Sequence, residues 1–250
     1  DGVTEKFAGT PFRADTKSPA HAGTTPEDCD PGVAGNVSLE NAALTPTFGR
    51  TVHVTPSGTG ERGEISIAHI LSPANRNAMR RGELIHDWLR QIGWHEDGLP
   101  DAEQWITSAV ETARELERRD VATWARGLIT EIQTAGTELH RALSRPTAGT
   151  GEKIELWRER RFAVVRETGG RNEVISGSFD RVVLWRDTNG KLLRATIMDF
   201  KTDGFSSSEE RSAIEARYVP QLEAYCDALC LLCPELEKRA VSASLVFVSA

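Results

Sequence analysis

No apolar run in this chain reaches membrane-spanning length, and no signal-peptide pattern opens it. Cysteine is scarce: Cys29, Cys226, Cys230 and Cys233 are too few and too clustered for a secreted disulfide framework. Basic charge is not in surplus either. A net charge of −7 argues against a free-standing general nucleic-acid binder, although basic residues can still cluster locally. There is no G-x-x-x-x-G-K-[ST] loop, so the chain is not an ATPase motor by itself. Gly58, Gly60 and Gly63 match a dinucleotide-loop spacing, but charged residues and a strand-like Glu64–Ile67 follow where a helix should open, so the match is chance. Internal repeats and heptads are absent. The chain starts at Asp1 rather than Met, which reads as a processed chain or an excised fragment, with the cytoplasm as the default compartment.

What remains describes a globular protein of 250 residues, enough to bury a sizeable core. Residues 1–50 are rich in Gly, Pro, Thr and Asp and read as an irregular linker or surface-wrapping segment. The domain proper is expected over 51–250, beginning with a short extended piece at Thr51–Val54. A helix follows from Pro73 to Ile92, with Gly82 and His86 four apart on one face. Residues 101–146 form a helical segment: one helix carries Trp105, Ala109, Ala113 and Leu116, and a second carries Val121, Trp124, Leu128, Ile132 and Leu139. Tryptophans at this spacing belong to a core. After Gly151 the period changes. Strands are expected at Glu155–Val165, Glu173–Arg186 and Leu192–Lys201, then a helix at Glu209–Leu232 and a strand at Val241–Val248. The catalytic core would thus be a β-β-β-α-β unit over 155–250, in an α/β fold with a mixed sheet flanked by helices.

The most informative stretch is Gly177–Thr202. Asn189-Gly190 signals a tight hairpin turn. With a two-residue loop, partners sum to 379 (188 + 191), which sets Asp180 opposite Asp199 (180 + 199). A four-residue loop shifts the register by two and keeps both on one face. Lys201 shares that face, while Phe179 and Phe200 are expected on the other. Opposed carboxylates repel. A divalent cation between them relieves this, and oxygen ligands so spaced suit Mg²⁺ or Mn²⁺. On the following helix, Gln221 and Tyr225 share a face with Tyr218.

In order, the chain holds Gly82-x-x-x-His86, Glu159-x-x-Phe162, Gly177-x-Phe179-Asp180-Arg181, Asp199-x-Lys201-Thr202 and Gln221-x-x-x-Tyr225. This set resembles the RecB-type nucleases of the PD-(D/E)xK superfamily. More narrowly, it is similar to the C-terminal nuclease domain of AddA-like and RecB-like helicase-nucleases of the UvrD/Rep superfamily. Arg81–His86 with Ile92-Gly93-Trp94, Thr55-Pro56-Ser57, and Gln221–Tyr225 carry the narrower likeness, which covers Thr55 to the end. The resemblance implies a restriction-endonuclease-like core and a metal-dependent DNA exonuclease for single strands made by a linked helicase, in double-strand-break repair or recombination. It implies His86, Asp180, Asp199 and the Phe200 carbonyl as metal ligands, with Lys201 activating the attacking water. Gln221 and Tyr225 would position DNA, with Glu159, Gly82 and Arg181 as support. DNA, the helicase part of the same polypeptide and a second nuclease subunit are the implied partners. The rival readings are a catalytically silent DNA-binding or scaffolding module and a stand-alone nuclease of the same fold. AddB-like relatives hold an iron–sulfur cluster on four cysteines. Here Cys226, Cys230 and Cys233 lie along one helix face, which favours packing over a cluster.

Overall fold

The change of period after Gly151 is where the main sheet begins. Strands β2 (Lys153–Thr168) and β3 (Arg171–Arg186) form a long antiparallel hairpin, and β4 (Leu192–Lys201) returns along β3. A short strand, β1 (Val52–Val54), runs parallel to β3 at Glu173–Ile175, and β5 (Val241–Phe247) runs parallel to β4. Because β2 takes one edge of β3 over its whole length, β1 and β4 must share the other edge at different heights. This computed structural model describes residues 52–56, 73–112, 116–169 and 171–249. The expectations for residues 1–50, for Cys29 and for the glycine pattern at 58–63 lie outside the described residues.

Helices cover both faces. On one side lie α1 (Pro73–Leu89), α2 (Ala102–Thr112), α3 (Arg118–Gln133) and α4 (Glu138–Leu143). Their apolar stripes bury Ile85, Trp88, Leu89, Ile106, Leu128 and Leu139 together with Phe200 and Val246 of the sheet and Val248 just past β5. Trp88 and Trp105 stack at 5.3 Å inside this layer, so these tryptophans are core residues. On the other side α5 (Ser208–Leu232) sets Tyr225, Ala228 and Leu229 against Phe162, Phe179, Val182, Leu184 and Ile197. Each fully buried side chain of this size contributes about 1.5–3 kcal/mol. The α/β fold with a mixed, helix-flanked sheet is therefore as the sequence implies.

Three local features depart from the sequence reading. The stretch expected as one helix to Leu139 is two, α3 and α4. Gly136 at φ +89° breaks it, and the Thr137 hydroxyl caps the new helix by accepting from the His140 N–H.

The hairpin loop has neither two nor four residues but three. The Asp187 N–H donates to the Lys191 carbonyl and the Gly190 N–H to the Asp187 carbonyl, with Gly190 at φ +85°. Such a loop sets partners to sum to 378, as in Arg186↔Leu192 (186 + 192). Left uncorrected, that one-residue slip would turn Asp199 to the opposite face from Asp180. A bulge at Leu193 restores the sum to 379 at Trp185↔Arg194 (185 + 194), and it holds to Arg181↔Met198 (181 + 198).

Finally, Phe179 and Phe200 do not share a face. Phe179 packs in the α5 layer and Phe200 in the layer of α1–α4.

Candidate metal centre

The register of the three long strands lines up a row of carboxylates. Asp180 is next after the Arg181↔Met198 pair, which brings it level with Asp199. On its other side the pairs Arg158↔Arg181 and Arg160↔Phe179 bracket Glu159 and Asp180 (158 + 181 = 160 + 179 = 159 + 180). Glu159, Asp180 and Asp199 thus lie side by side across β2, β3 and β4.

The row coincides with a break in the pleat. Glu159 has φ +44°, a left-handed conformation that side chains other than glycine seldom adopt. Phe179 and Arg181, two apart and so of the same parity, end in different layers beside it. Phe179 stacks on Phe162 at 4.4 Å and meets Tyr225 at 5.4 Å. Arg181, fully buried, donates to the carbonyls of Ile92 and Gly93 and lies 4.7 Å from the Trp94 ring. Arg181 therefore points away from the carboxylates and clamps the chain that leaves α1. Burial pushes its guanidinium down to about 10, and the charge of Arg158 adds to the effect.

His86 reaches the row from α1. Its Nδ1 lies 3.5 Å from Asp180 Oδ2 and 3.7 Å from Glu159 Oε1. Burial alone would lower its pKa, but hydrogen bonding and charge from Asp180 and Glu159 outweigh this and push it up to about 10. Gly82, one turn earlier, sits under Thr202: a Cβ there would meet Thr202 Oγ1 at 3.4 Å, an ordinary contact. Gly177 is tighter, since a Cβ would fall 3.0 Å from Phe162 and 3.3 Å from Pro56.

β4 supplies the rest. Lys201 Nζ is 2.7 Å from Asp199 Oδ2, and the Phe200 N–H donates to Asp180 Oδ2 at 2.8 Å. Within an extended strand a residue's own N–H and C=O lie on the same edge. The Phe200 carbonyl therefore faces β3, whereas the Lys201 carbonyl accepts from Val248 on the β5 side. From α5, Gln221 Nε2 donates to Asp199 Oδ1 at 3.3 Å and to the Tyr225 hydroxyl at 3.1 Å. Burial and the charge of Asp180 raise the Asp199 pKa to about 6, against the opposing pull of Lys201 and His86. Burial also drives the Tyr225 phenol up, keeping it neutral.

One further side chain, to which the sequence motifs assign no role, joins the site: Tyr218, on the helix face of Gln221 and Tyr225. Its ring lies 4.4 Å from Lys201 Nζ, and its hydroxyl donates to Asp203 Oδ2 at 3.1 Å.

The donor set fits a divalent cation. Nδ1 of His86 and one oxygen each of Glu159 and Asp180 lie within 4.8 Å of one another, the one group so arranged among the described residues. This nearest set includes Glu159, while the Asp199 carboxylate is tied to Lys201 and Gln221. Asp199 Oδ2 is buried with no donor in good hydrogen-bond geometry. Hard oxygens with one imidazole suit Mg²⁺ or Mn²⁺. Cys226 and Cys230 are half-buried free thiols and Cys233 a buried one, each with its pKa raised by burial first.

The family model of the PD-(D/E)XK nuclease superfamily matches residues 65–250. The chain belongs to that superfamily. Its members are nucleases that use divalent metal ions, and the carboxylate row with Lys201 lies inside the matched span. A nuclease of this superfamily acts on nucleic acid, which a net charge of −7 did not advertise. No curated protein sequence matches the chain. No helix of the described residues is long and apolar enough to cross a membrane.

Proposed function

We propose that this PD-(D/E)XK domain is a cytoplasmic, metal-dependent DNA exonuclease of the RecB type. It would act on single strands delivered by a helicase in the same polypeptide, in the repair or recombination of double-strand breaks, with a second nuclease subunit as a further partner. The observation that carries the hydrolytic reading is the Lys201 ammonium 2.7 Å from Asp199, with Asp180 level with it on the next strand. The ordered motifs from Gly82 to Tyr225 support the narrower RecB-type assignment.

His86, Asp180, Asp199 and the Phe200 carbonyl would hold Mg²⁺ or Mn²⁺, and Glu159, which lies with His86 and Asp180 in the nearest donor set, would supply a further oxygen. A bound divalent ion supplies Lewis acidity and a lowered pKa for water beside the phosphodiester. The residues do the rest. The Phe200 N–H fixes one oxygen of Asp180, and Gln221 fixes one oxygen of Asp199, so neither carboxylate can rotate freely. Lys201 is placed to orient the attacking water and to stabilise negative charge as it builds on the phosphoryl oxygens. The Asp180–Phe200 bond keeps β3 and β4 together where mutual repulsion would part them.

The test is cleavage of end-labelled single- and double-stranded DNA with Mg²⁺, Mn²⁺ or EDTA. Stepwise metal-dependent products, stronger on single strands, are expected. Internal cuts alone would overturn the exonuclease reading. No cutting under any metal condition would leave a silent DNA-binding module in its place.

A further inference from the structure

We infer that Tyr218 is a positioning residue that holds the Lys201 ammonium in place when Asp199 turns its oxygens to a metal ion. This rests on the nuclease reading above for its consequence in rate, but the contact itself does not depend on that reading.

Lys201 has two neighbours of opposite character. One is Asp199 Oδ2 at 2.7 Å; the other is the ring of Tyr218, 4.4 Å from Nζ. A lysine side chain is a flexible stem with a compact charge, and rotamer freedom is its natural state. Asp199 already gives Oδ2 to Lys201 and Oδ1 to Gln221, so a divalent ion bound there would share the same carboxylate with the lysine. Once the carboxylate is shared with a cation, its pull on Lys201 weakens and repulsion between the two cations grows. An aromatic face attracts the ammonium through its quadrupole and brings no competing ligand.

Tyr218 is itself held. Its hydroxyl donates to Asp203 Oδ2, and Arg217 donates to Asp203 Oδ1 at 3.1 Å. Asp203 stands two residues after Lys201, so the loop leaving β4 and the helix carrying Tyr218 are pinned to each other beside the lysine. Tyr218 also sits three residues before Gln221, one turn along the same face of α5. One helix face therefore presents Tyr218 to Lys201 and Gln221 to Asp199.

The experiment uses the whole chain, with Tyr218→Phe and Tyr218→Leu. The first readout is NMR of the protein after reductive methylation with ¹³C-formaldehyde, with Lys201→Arg assigning the Lys201 signal. An upfield ring-current shift is expected in the wild type and in Tyr218→Phe, and its loss in Tyr218→Leu. The second is steady-state cleavage of single-stranded DNA at saturating Mg²⁺. Tyr218→Phe should keep kcat within about threefold, and Tyr218→Leu should lose about tenfold in kcat with KM unchanged, as befits one cation–π contact. A thermal melt within two degrees or so of wild type separates this from unfolding. The inference is overturned if the Lys201 shift survives in Tyr218→Leu, if that variant keeps wild-type kcat, or if Tyr218→Phe falls as far. A wild-type protein that cuts no DNA would refute the nuclease reading, while the NMR shift would still decide the contact.

Discussion

The backbone N–H of Phe200 donates to the carboxylate of Asp180 at 2.8 Å. A main-chain donor on β4 thus fixes a side chain on β3, and no substitution at residue 200 short of proline removes it. The same geometry turns the Phe200 carbonyl toward the carboxylates. Around this bond the proposed chemistry makes demands that can be measured.

Asp199 is held in its charged form at a cost. Its folded pKa of about 6 lies above its ordinary 3.8. A raised carboxylate pKa means that the folded state binds the proton more tightly. The associated stability is fully present below about 3.8 and is lost as pH rises through about 6. Asp199→Asn removes that loss. At pH 8, in EDTA, the variant should be more stable than wild type by about 1–3 kcal/mol and melt several degrees higher. At pH 4 the gain should vanish. An equal gain at both pH values would show that charge is not the cause.

His86 works in the other direction. With a folded pKa of about 10 against an ordinary 6.5, its charged form supports the metal-free fold below about 6.5, and that support fades as pH rises through about 10. A metal ion needs the neutral ring, so binding at pH 7.5 should release a proton. Calorimetric titration of Mn²⁺ in two buffers of different ionisation enthalpy should give close to one proton per ion, and fewer in His86→Ala. Identical heats in both buffers would exclude His86 as a ligand.

Gly177 is required for space rather than for backbone freedom. A Cβ added there would fall 3.0 Å from the Phe162 ring, which is itself stacked on Phe179. Gly177→Ala should cost about 1–3 kcal/mol in denaturant unfolding. Phe162→Leu in the same chain should recover part of that cost. Additive losses would place the strain elsewhere.

Arg181→Met should leave the carbonyls of Ile92 and Gly93 unpaired and cost about 2–4 kcal/mol. Because those carbonyls follow the helix that carries His86, metal affinity should fall as well. Lost stability with unchanged metal affinity would confine Arg181 to the core.

How much of this the sequence could tell depends on the range of the forces involved. The proximity of Asp180, Asp199 and Lys201 follows from strand alternation, a local rule, and the residues are legible for that reason. Yet the expected loop length was wrong, and the register came out as 379 only because the bulge at Leu193 offsets the three-residue loop. Glu159 could be placed on its strand, but its left-handed backbone could not, nor could the break in the pleat beside it that puts Phe179 and Phe200 in different layers. His86, Gln221 and Tyr225 were tied to the carboxylates by resemblance, since nothing in helical periodicity says which face of a helix meets which strand. The contact of Tyr218 with Lys201 and the clamp of Arg181 on Gly93 are purely tertiary. Arg181 was given a supporting place beside Asp180 by resemblance, and only its contacts with Trp94 and two carbonyls show that it supports the chain leaving α1 instead.

A divalent ion held by the carboxylates of β3 and β4 is the premise of the proposed hydrolysis. Electron paramagnetic resonance of Mn²⁺ titrated into the intact chain measures bound against free ion directly. Wild type should bind Mn²⁺ tightly, Asp180→Ala and Asp199→Ala should lose that binding by at least about tenfold, and Lys201→Ala should keep it while losing cleavage. Equal Mn²⁺ binding by the wild type and both aspartate variants would show that Asp180 and Asp199 hold no metal ion.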